Sequence, residues 1–321
     1  MPLLAIDLGG TKLALAVFSQ EGNLLFEEKI HLDKRKGKEV GRLIAESVSA
    51  NLDKQKDKGE KIKAIGISVP GIYHKNKGTV WAPNIEGWED YPLLEEIEAV
   101  ADNIPVIIDS DRACYILGEW WKGAARNCSD AIFLAVGTGI GAGILTDGKI
   151  LRGAKNIAGA IGWMALERPF QHHYKDCGCF ESSASGEGIA KMAKRIIKEK
   201  KEYNGILKAK SFNPLTALDV FEAYEKKDVI AEEVIQHCID VWGMAIANLV
   251  SLFNPQKIIF GGGVFGPAIK FIPEIKREAT KWAQPVSMQQ VTIEASALGS
   301  NAGLYGAACI AKQNLKNASC L

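Results

Sequence analysis

The chain has no surplus of either charge. Its 39 Lys and Arg against 38 Asp and Glu leave a net +1 over 321 residues. That removes the basic face that nucleic-acid binding needs and the acidic tail that would suggest disorder. No apolar run is long enough to span a bilayer. The start, Met1-Pro2-Leu3-Leu4-Ala5-Ile6-Asp7, lacks the basic region and the cleavage-site pattern of a signal peptide. A cytoplasmic protein with no membrane and no nucleic-acid partner is the expectation. The seven cysteines are odd in number and scattered, which is no disulfide framework, and most read as small buried hydrophobes. Low-complexity stretches are absent too. What remains is 47% hydrophobic and 24% charged, a soluble globular composition, in a chain too long for one ordinary core. Two domains are expected.

The apolar pattern organises the chain. Leu3 to Leu8, Leu13 to Phe18 and Leu24 to Ile30 read as three antiparallel strands, separated by Gly9-Gly10-Thr11 and Gln20-Glu21-Gly22-Asn23. Val40, Leu43, Ile44, Val48 and Leu52 fall at helical spacing. Ile62 to Val69 is a buried strand ended by Pro70-Gly71, and Pro105 to Asp109 is another, followed by a helix through Trp121. The opening unit then recurs. Ala131 to Val136, a glycine-rich turn, Ile144-Leu145, the turn Asp147-Gly148 and Lys149 to Leu151 repeat the strand-turn-strand-turn-strand order of residues 3–30. Such a duplication implies two domains of one architecture facing a cleft. Residues 197–214 read as a loop or frayed helix end, and Glu232 to Phe253 as a long helix. Ile258 to Phe260 is a strand entering a glycine triplet, with a helix expected near Pro267. The last helix is expected over about Ala297 to Ala311.

Three glycine turns carry the chemistry. In Asp7-Leu8-Gly9-Gly10-Thr11-Lys12 the two glycines let backbone N–H groups approach an anion, Thr11 adds a hydroxyl and Lys12 a charge. Asp7 is suited to a hydrated Mg²⁺. Gly137-Thr138-Gly139-Ile140-Gly141-Ala142-Gly143 would make a poor hairpin unless a ligand needed its backbone. Gly261-Gly262-Gly263 ends a buried strand and supplies a surface for an adenine or ribose. A P-loop is excluded, since no Gly-x-x-x-x-Gly-Lys-Ser/Thr occurs. A dinucleotide fingerprint is excluded because a strand, not a helix, follows Gly137.

Taken in order, Asp7-x-Gly-Gly-Thr-Lys, Pro70-Gly71, Ala82-Pro83-Asn84, Asp111, Gly137-Thr-Gly-x-Gly, Cys179-x-Glu181 and the glycine triplet resemble the ROK family over nearly the whole chain. That family groups sugar kinases with sugar-responsive repressors. The resemblance implies an α/β chain of two actin-like (ribonuclease H-like) domains, with mixed sheets flanked by helices and a nucleotide cleft between them. The expected domains are 1–112 and 113–297, with a C-terminal helix over about 298–321 packed back on the first. The implied activity is ATP-dependent phosphorylation of a hydroxyl of a hexose or hexose derivative, with Mg²⁺, in a homodimer. Asp111 is implied as general base, which suits phosphoryl transfer to an alcohol. Its alternative role is a helix N-cap. Asp109 is its rival, since strand alternation would put both on one face; the family register selects Asp111. Pro70, Gly71, Asn84, Ser110 and Glu181 are implied to meet the sugar, and Asp7, Gly9 to Lys12, Gly137 to Gly139 and Gly261 to Gly263 the nucleotide. The family's repressors carry an added helix-turn-helix, whereas this chain opens on its first phosphate strand and resembles the enzymes. A non-catalytic sugar sensor is one alternative, and an actin-like ATPase with a protein client is another.

Departures from the family pattern concern the sugar and a metal. Ser110 stands where Asn usual to the family precedes the base. Gly159-Ala160-Ile161-Gly162-Trp163 stands where the family reads Gly-Glu-x-Gly-His, so two polar sugar contacts are missing and glucose selectivity is expected to change. The structural zinc of many members is expected to be absent. His172, His173, Cys177 and Cys179 are of ligand type, but the two cysteines are too close for the usual spacing. Trp163 either fills the core where that metal loop was or stacks on a sugar, and the habit of large aromatics favours the core. His31, His74 and His237 read as surface or helix-face residues with no partner.

Overall fold

The computed structural model describes residues 2–210 and 214–318. Their contacts divide into two compact units, residues 2–127, 152–158 and 300–318 in the first and residues 128–151 and 159–299 in the second.

The first unit opens with β1 (Leu3–Leu8), β2 (Lys12–Phe18) and β3 (Leu24–His31), an antiparallel meander. Next come α1 (Lys38–Asp57), β4 (Ile65–Val69), a short hairpin of β5 (Ile72–His74) and β6 (Thr79–Trp81), α2 (Leu93–Glu98), β7 (Val106–Ser110) and α3 (Asp111–Lys122). β4 joins β1 in parallel and β7 joins β4 in parallel, giving one mixed sheet in the order β3-β2-β1-β4-β7. The two-residue period of β1 sorts its side chains. Leu4, Ile6 and Leu8 enter one cluster with Val40, Ile44 and Val48 of α1. Ala5 lies in a different cluster, with Ala14 and Ala16 of β2. The three α1 residues are wholly buried, each contributing about 1.5–3 kcal/mol.

The second unit repeats the pattern. β8 (Ala131–Val136), β9 (Ile140–Thr146) and β10 (Lys149–Ile150) are antiparallel. Helices α4 (Tyr174–Cys177), α5 (Cys179–Ala184), α6 (Gly186–Glu199), α7 (Ile206–Lys210), α8 (Ala217–Glu225) and α9 (Val229–Phe253) follow. Then come β11 (Lys257–Gly261), α10 (Ile272–Thr280), α11 (Pro285–Gln290) and β12 (Thr292–Ala295). The sheet order is β10-β9-β8-β11-β12, with β11 parallel to both β8 and β12. The stretch read as a loop or frayed helix end over 197–214 holds the end of α6 and, beyond that reading, all of α7; residues 211–213 lie outside the described residues. α9 starts on Asp228, whose carboxylate accepts from Ile230 N and Ala231 N, and ends on Asn254 in the left-handed region. By length and composition α9 matches a membrane span, at a mean hydropathy of 1.2 over eighteen residues. No such run was expected. Since 67% of that window is buried inside the protein, it is the core helix of its unit.

The last helix, α12 (Ala302–Ala318), begins later than expected and lies in the first unit, against α3 and β1. The approach is close because the contacts are small. A Cβ on Gly306 would lie 1.9 Å from the Cys114 carbonyl oxygen. One on Gly66 would lie 1.9 Å from that of Ala307, and one on Gly118 would lie 2.3 Å from that of Ala302. Because α3 is held this way by α12, residues 113–127 group with the first unit, whereas the expected boundary gave them to the second.

Candidate active site

In the first unit the turn between β1 and β2 is closed by Gly9 N donating to the Lys12 carbonyl at 2.9 Å. Neither Gly9 nor Gly10 has a positive φ. A Cβ on Gly10 would make only ordinary contact, 3.5 Å from Asn84 Cβ. The fold therefore does not require glycine there, and the open backbone suits an anion that must come close. Asn84 is thereby placed beside this turn.

Asp7 ends β1 on the face toward α12. Its Oδ1 accepts from Ser68 Oγ at 2.6 Å, across the β1–β4 pairing that aligns the two residues. A Cβ on Gly303, in the first turn of α12, would fall 2.3 Å from Asp7 Oδ2. Burial pushes the Asp7 carboxyl up, while the Ser68 bond and the Lys12 charge pull it down. Sequence reading did not single out Ser68 or Gly303. Ser68 had only a weak signal, a hydroxyl near the end of the buried strand expected over Ile62 to Val69.

Asp111 proves not to be the cap of α3. Ser110 takes that role, its side chain accepting from Ala113 N at 3.4 Å. Asp111 is the first helical residue, and its Oδ1 accepts from Arg112 N at 2.7 Å. Burial pushes its carboxyl up to about 6, against the pull of Arg112 and with a further push from the Asp7 charge. Asp7 and Asp111 are thus electrostatically linked. The strand ends at Ser110, so alternation does not carry Asp109 and Asp111 to one face as expected. Asp109 is instead committed to Arg152, whose Nη1 donates to Oδ1 and whose Nη2 meets Oδ2, each at 2.7 Å. Asn156 Nδ2 donates to the Tyr73 carbonyl at 3.1 Å, so residues 152–158 are fastened to the first unit at two points. Gly71 has a fold reason of its own. Its φ is +97°, and a Cβ would lie 2.2 Å from the Trp81 carbonyl oxygen. Pro70 beside it is buried.

In the second unit, Gly137 N donates to the Gly139 carbonyl at 2.9 Å, and Gly186 N donates to the Gly137 carbonyl at 2.8 Å. Glu181 lies against this turn. Its Oε2 accepts from Ile140 N at 2.6 Å, and a Cβ on Gly139 would sit 2.6 Å from that oxygen. Burial pushes the Glu181 carboxyl up, partly offset by the Ile140 bond. Thr138 is exposed at the turn's tip. The triplet divides by cause. Gly261 makes room for the Phe133 ring, 2.2 Å from a would-be Cβ, and Gly262 has φ +91° with the Val136 carbonyl at 2.4 Å. Gly263 meets nothing within 4 Å, as does Gly137. These last two have no packing neighbour that calls for glycine.

Trp163 overturns the core reading. It is 57% exposed, since the turn Ile161–Trp163 sends Ile161 inward and leaves the indole outside. Among the described residues, no group of three or more His, Cys, Asp or Glu could hold a metal ion. His172 and His173 are exposed. Cys177 Sγ lies 3.2 Å from Ser182 Oγ, and Cys179 is buried at the start of α5. His237 was expected without a partner; its Nε2 lies 3.2 Å from Glu167 Oε1 but makes no hydrogen bond.

Comparison with known proteins adds to this geometry. The ROK family model matches residues 3–314. A glucokinase of Halalkalibacterium halodurans is 34% identical over 315 residues, covering 96% of this chain and 94% of that protein. A xylose repressor of Caldicellulosiruptor bescii is 31% identical over 317 residues, covering 96% of this chain and 77% of the repressor. The crystal structure of a ROK family glucokinase from Streptomyces griseus, in complex with glucose and AMPPNP, matches at a TM-score of 0.77. It is 27% identical, and the match covers 98% of this chain and 100% of that one.

Proposed function

The chain belongs to the ROK family, and from that premise we propose that it transfers the γ-phosphoryl group of ATP to a hydroxyl of a hexose or hexose derivative. The observation that carries this reading is Asp111. It is a half-buried carboxylate at the head of α3, relieved of capping by Ser110 and pushed up to about 6. A base poised just below neutral pH is ionised at work and still basic enough to take a hydroxyl proton.

In this reading Asp111 accepts the proton as the sugar oxygen attacks phosphorus, and ADP leaves with the bond it held. The backbone amides of Gly10 and Thr11, and those of Thr138 and Gly139, are the phosphate donors of this reading, and Gly263 gives the nucleoside an open surface. Asn84, Ser110 and Glu181 orient the acceptor. Asp7 fits an ion held mostly by phosphate oxygens and waters: one buried carboxylate stands near the first phosphate turn, with no cage of ligands around it. Mg²⁺ bound there would neutralise phosphate charge as transfer proceeds.

A second reading has one specific support, the repressor relative: a sugar-binding regulator that does not turn over. The two separate in one experiment. The protein is incubated with ATP, Mg²⁺ and a panel of hexoses, amino sugars and acylated sugars, and products are analysed by mass spectrometry. A sugar monophosphate formed with at least one member supports the kinase. Sugar binding without any phosphorylated product would refute it.

A further inference from the structure

Glu167 joins four separate stretches of the second unit. It lies on an irregular segment between the turn Ile161–Trp163 and α4. Its Oε2 accepts a short hydrogen bond from Ser183 Oγ on α5. The same oxygen lies 3.5 Å from the Tyr174 hydroxyl on α4. Its Oε1 lies 3.2 Å from His237 Nε2 on α9. Burial, and then the charge of Glu167, push the Tyr174 hydroxyl up to about 12.

These links add to two from α9 itself, Trp242 Nε1 donating to the Ala184 carbonyl at 3.2 Å and Cys238 Sγ donating to that of Ser183 at 3.8 Å. α4 has four residues and α5 has six, too few to hold a helix without tertiary contacts. α9, by contrast, is the 25-residue core helix. The Ser183 hydroxyl also lies 2.9 Å from the Cys179 carbonyl oxygen, so its one proton serves that acceptor and Glu167 between them. Two residues before Ser183 on α5 is Glu181, which accepts from Ile140 N at the second glycine turn.

We propose that Glu167 is a positioning residue: by holding Ser183 and Tyr174 on one carboxylate it ties the segment before α4 to α5, which α9 holds through Ala184, and so fixes Glu181 beneath Gly139 and Ile140. The proposal rests on the kinase reading for its kinetic consequence, but not for its structural one. The test compares wild type with Glu167→Ala and Glu167→Gln, in steady-state kinetics and in hydrogen exchange over residues 163–184.

Glu167→Ala is expected to raise the KM for the sugar about tenfold, with kcat changed by less than about threefold. Glu167→Gln should recover most of the loss, because its amide oxygen still accepts from Ser183. Exchange in residues 163–184 should speed up in the alanine variant, while β8, β11 and α9 keep their protection. The proposal is overturned if exchange in 163–184 is unchanged, if alanine and glutamine variants are equally impaired, or if KM moves less than about twofold. Should Glu167→Ala not fold, Ser183→Ala is read the same way, since it removes one arm only. If wild type phosphorylates no sugar, the kinase reading fails, and the exchange experiment still decides what Glu167 holds.

Discussion

Replacing Asp111 with Asn should remove catalysis and stabilise the protein at once. The carboxyl sits about 2 units above its ordinary 3.8, which corresponds to about 3 kcal/mol of differential interaction at 1.36 kcal/mol per unit. The sign follows from proton affinity. The folded protein holds the Asp111 proton more tightly than the unfolded chain, so the ionised form destabilises the fold. That penalty is full above pH 6 and fades as pH falls from about 6 to 3.8. An amide also loses the favourable interaction of a charge with the α3 N-terminus, about 0.3–1 kcal/mol. Asp111→Asn should therefore be more stable at pH 7 by on the order of 2 kcal/mol, and the difference should shrink toward pH 4. The same variant should lose about 10²–10⁴ in kcat, the usual contribution of a general base. In wild type, a base near 6 is about 90% ionised at pH 7 and about 10% at pH 5, so kcat/KM should fall roughly ninefold between them. Thermal unfolding at both pH values and sugar-dependent ADP release check each part. An Asn variant that turns over within about tenfold of wild type, or that melts below wild type at pH 7, would refute the reasoning.

Other substitutions probe neighbouring parts of the site. Gly303→Ala puts a methyl 2.3 Å from Asp7 Oδ2, so it should cost about 1–3 kcal/mol and raise the KM for ATP; unfolding midpoints and initial rates measure both. Arg152→Lys should not replace Arg152, because one ammonium cannot match the two-point contact to Asp109. With the arginine side chain 43% exposed, the expected loss is about 1 kcal/mol, with a comparable one for Arg152→Ala. Gly263→Ala should leave the melting temperature within about one degree yet weaken nucleotide binding, whereas Gly262→Ala, at φ +91°, should destabilise the fold by about 1 kcal/mol or more. Calorimetry with ATP analogues separates the two glycines.

Strand order and duplication were legible because each depends on local signals: apolar runs of five to eight residues cut by glycine turns. The end of β2 at Phe18 and the start of β8 at Ala131 fell where those signals put them. Less visible were features set by distant packing. The hairpin of β5 and β6 has only three residues per strand, too short for a pattern. Asp109 and Asp111 were treated as one strand face, but the helix begins one residue after Ser110 and breaks the period. Nothing local marks Arg152 as the partner of Asp109, which is 43 residues earlier, or Glu167 as the neighbour of His237. Trp163 was misread for a related reason: its exposure depends on which residue of a single turn points inward. The glycines divide similarly. Sequence could flag all three turns, but only packing shows that Gly261 and Gly262 serve the fold while Gly137 and Gly263 stay open.

The most direct measurement is the stoichiometry of phosphoryl transfer by the wild-type protein. ADP release and sugar phosphate are quantified together, with and without each sugar of the panel. The account predicts that at least one hexose or derivative raises ADP release at least about tenfold over water, with one sugar phosphate formed per ADP. Release that no sugar accelerates, or ADP formed with free phosphate instead of sugar phosphate, would contradict it.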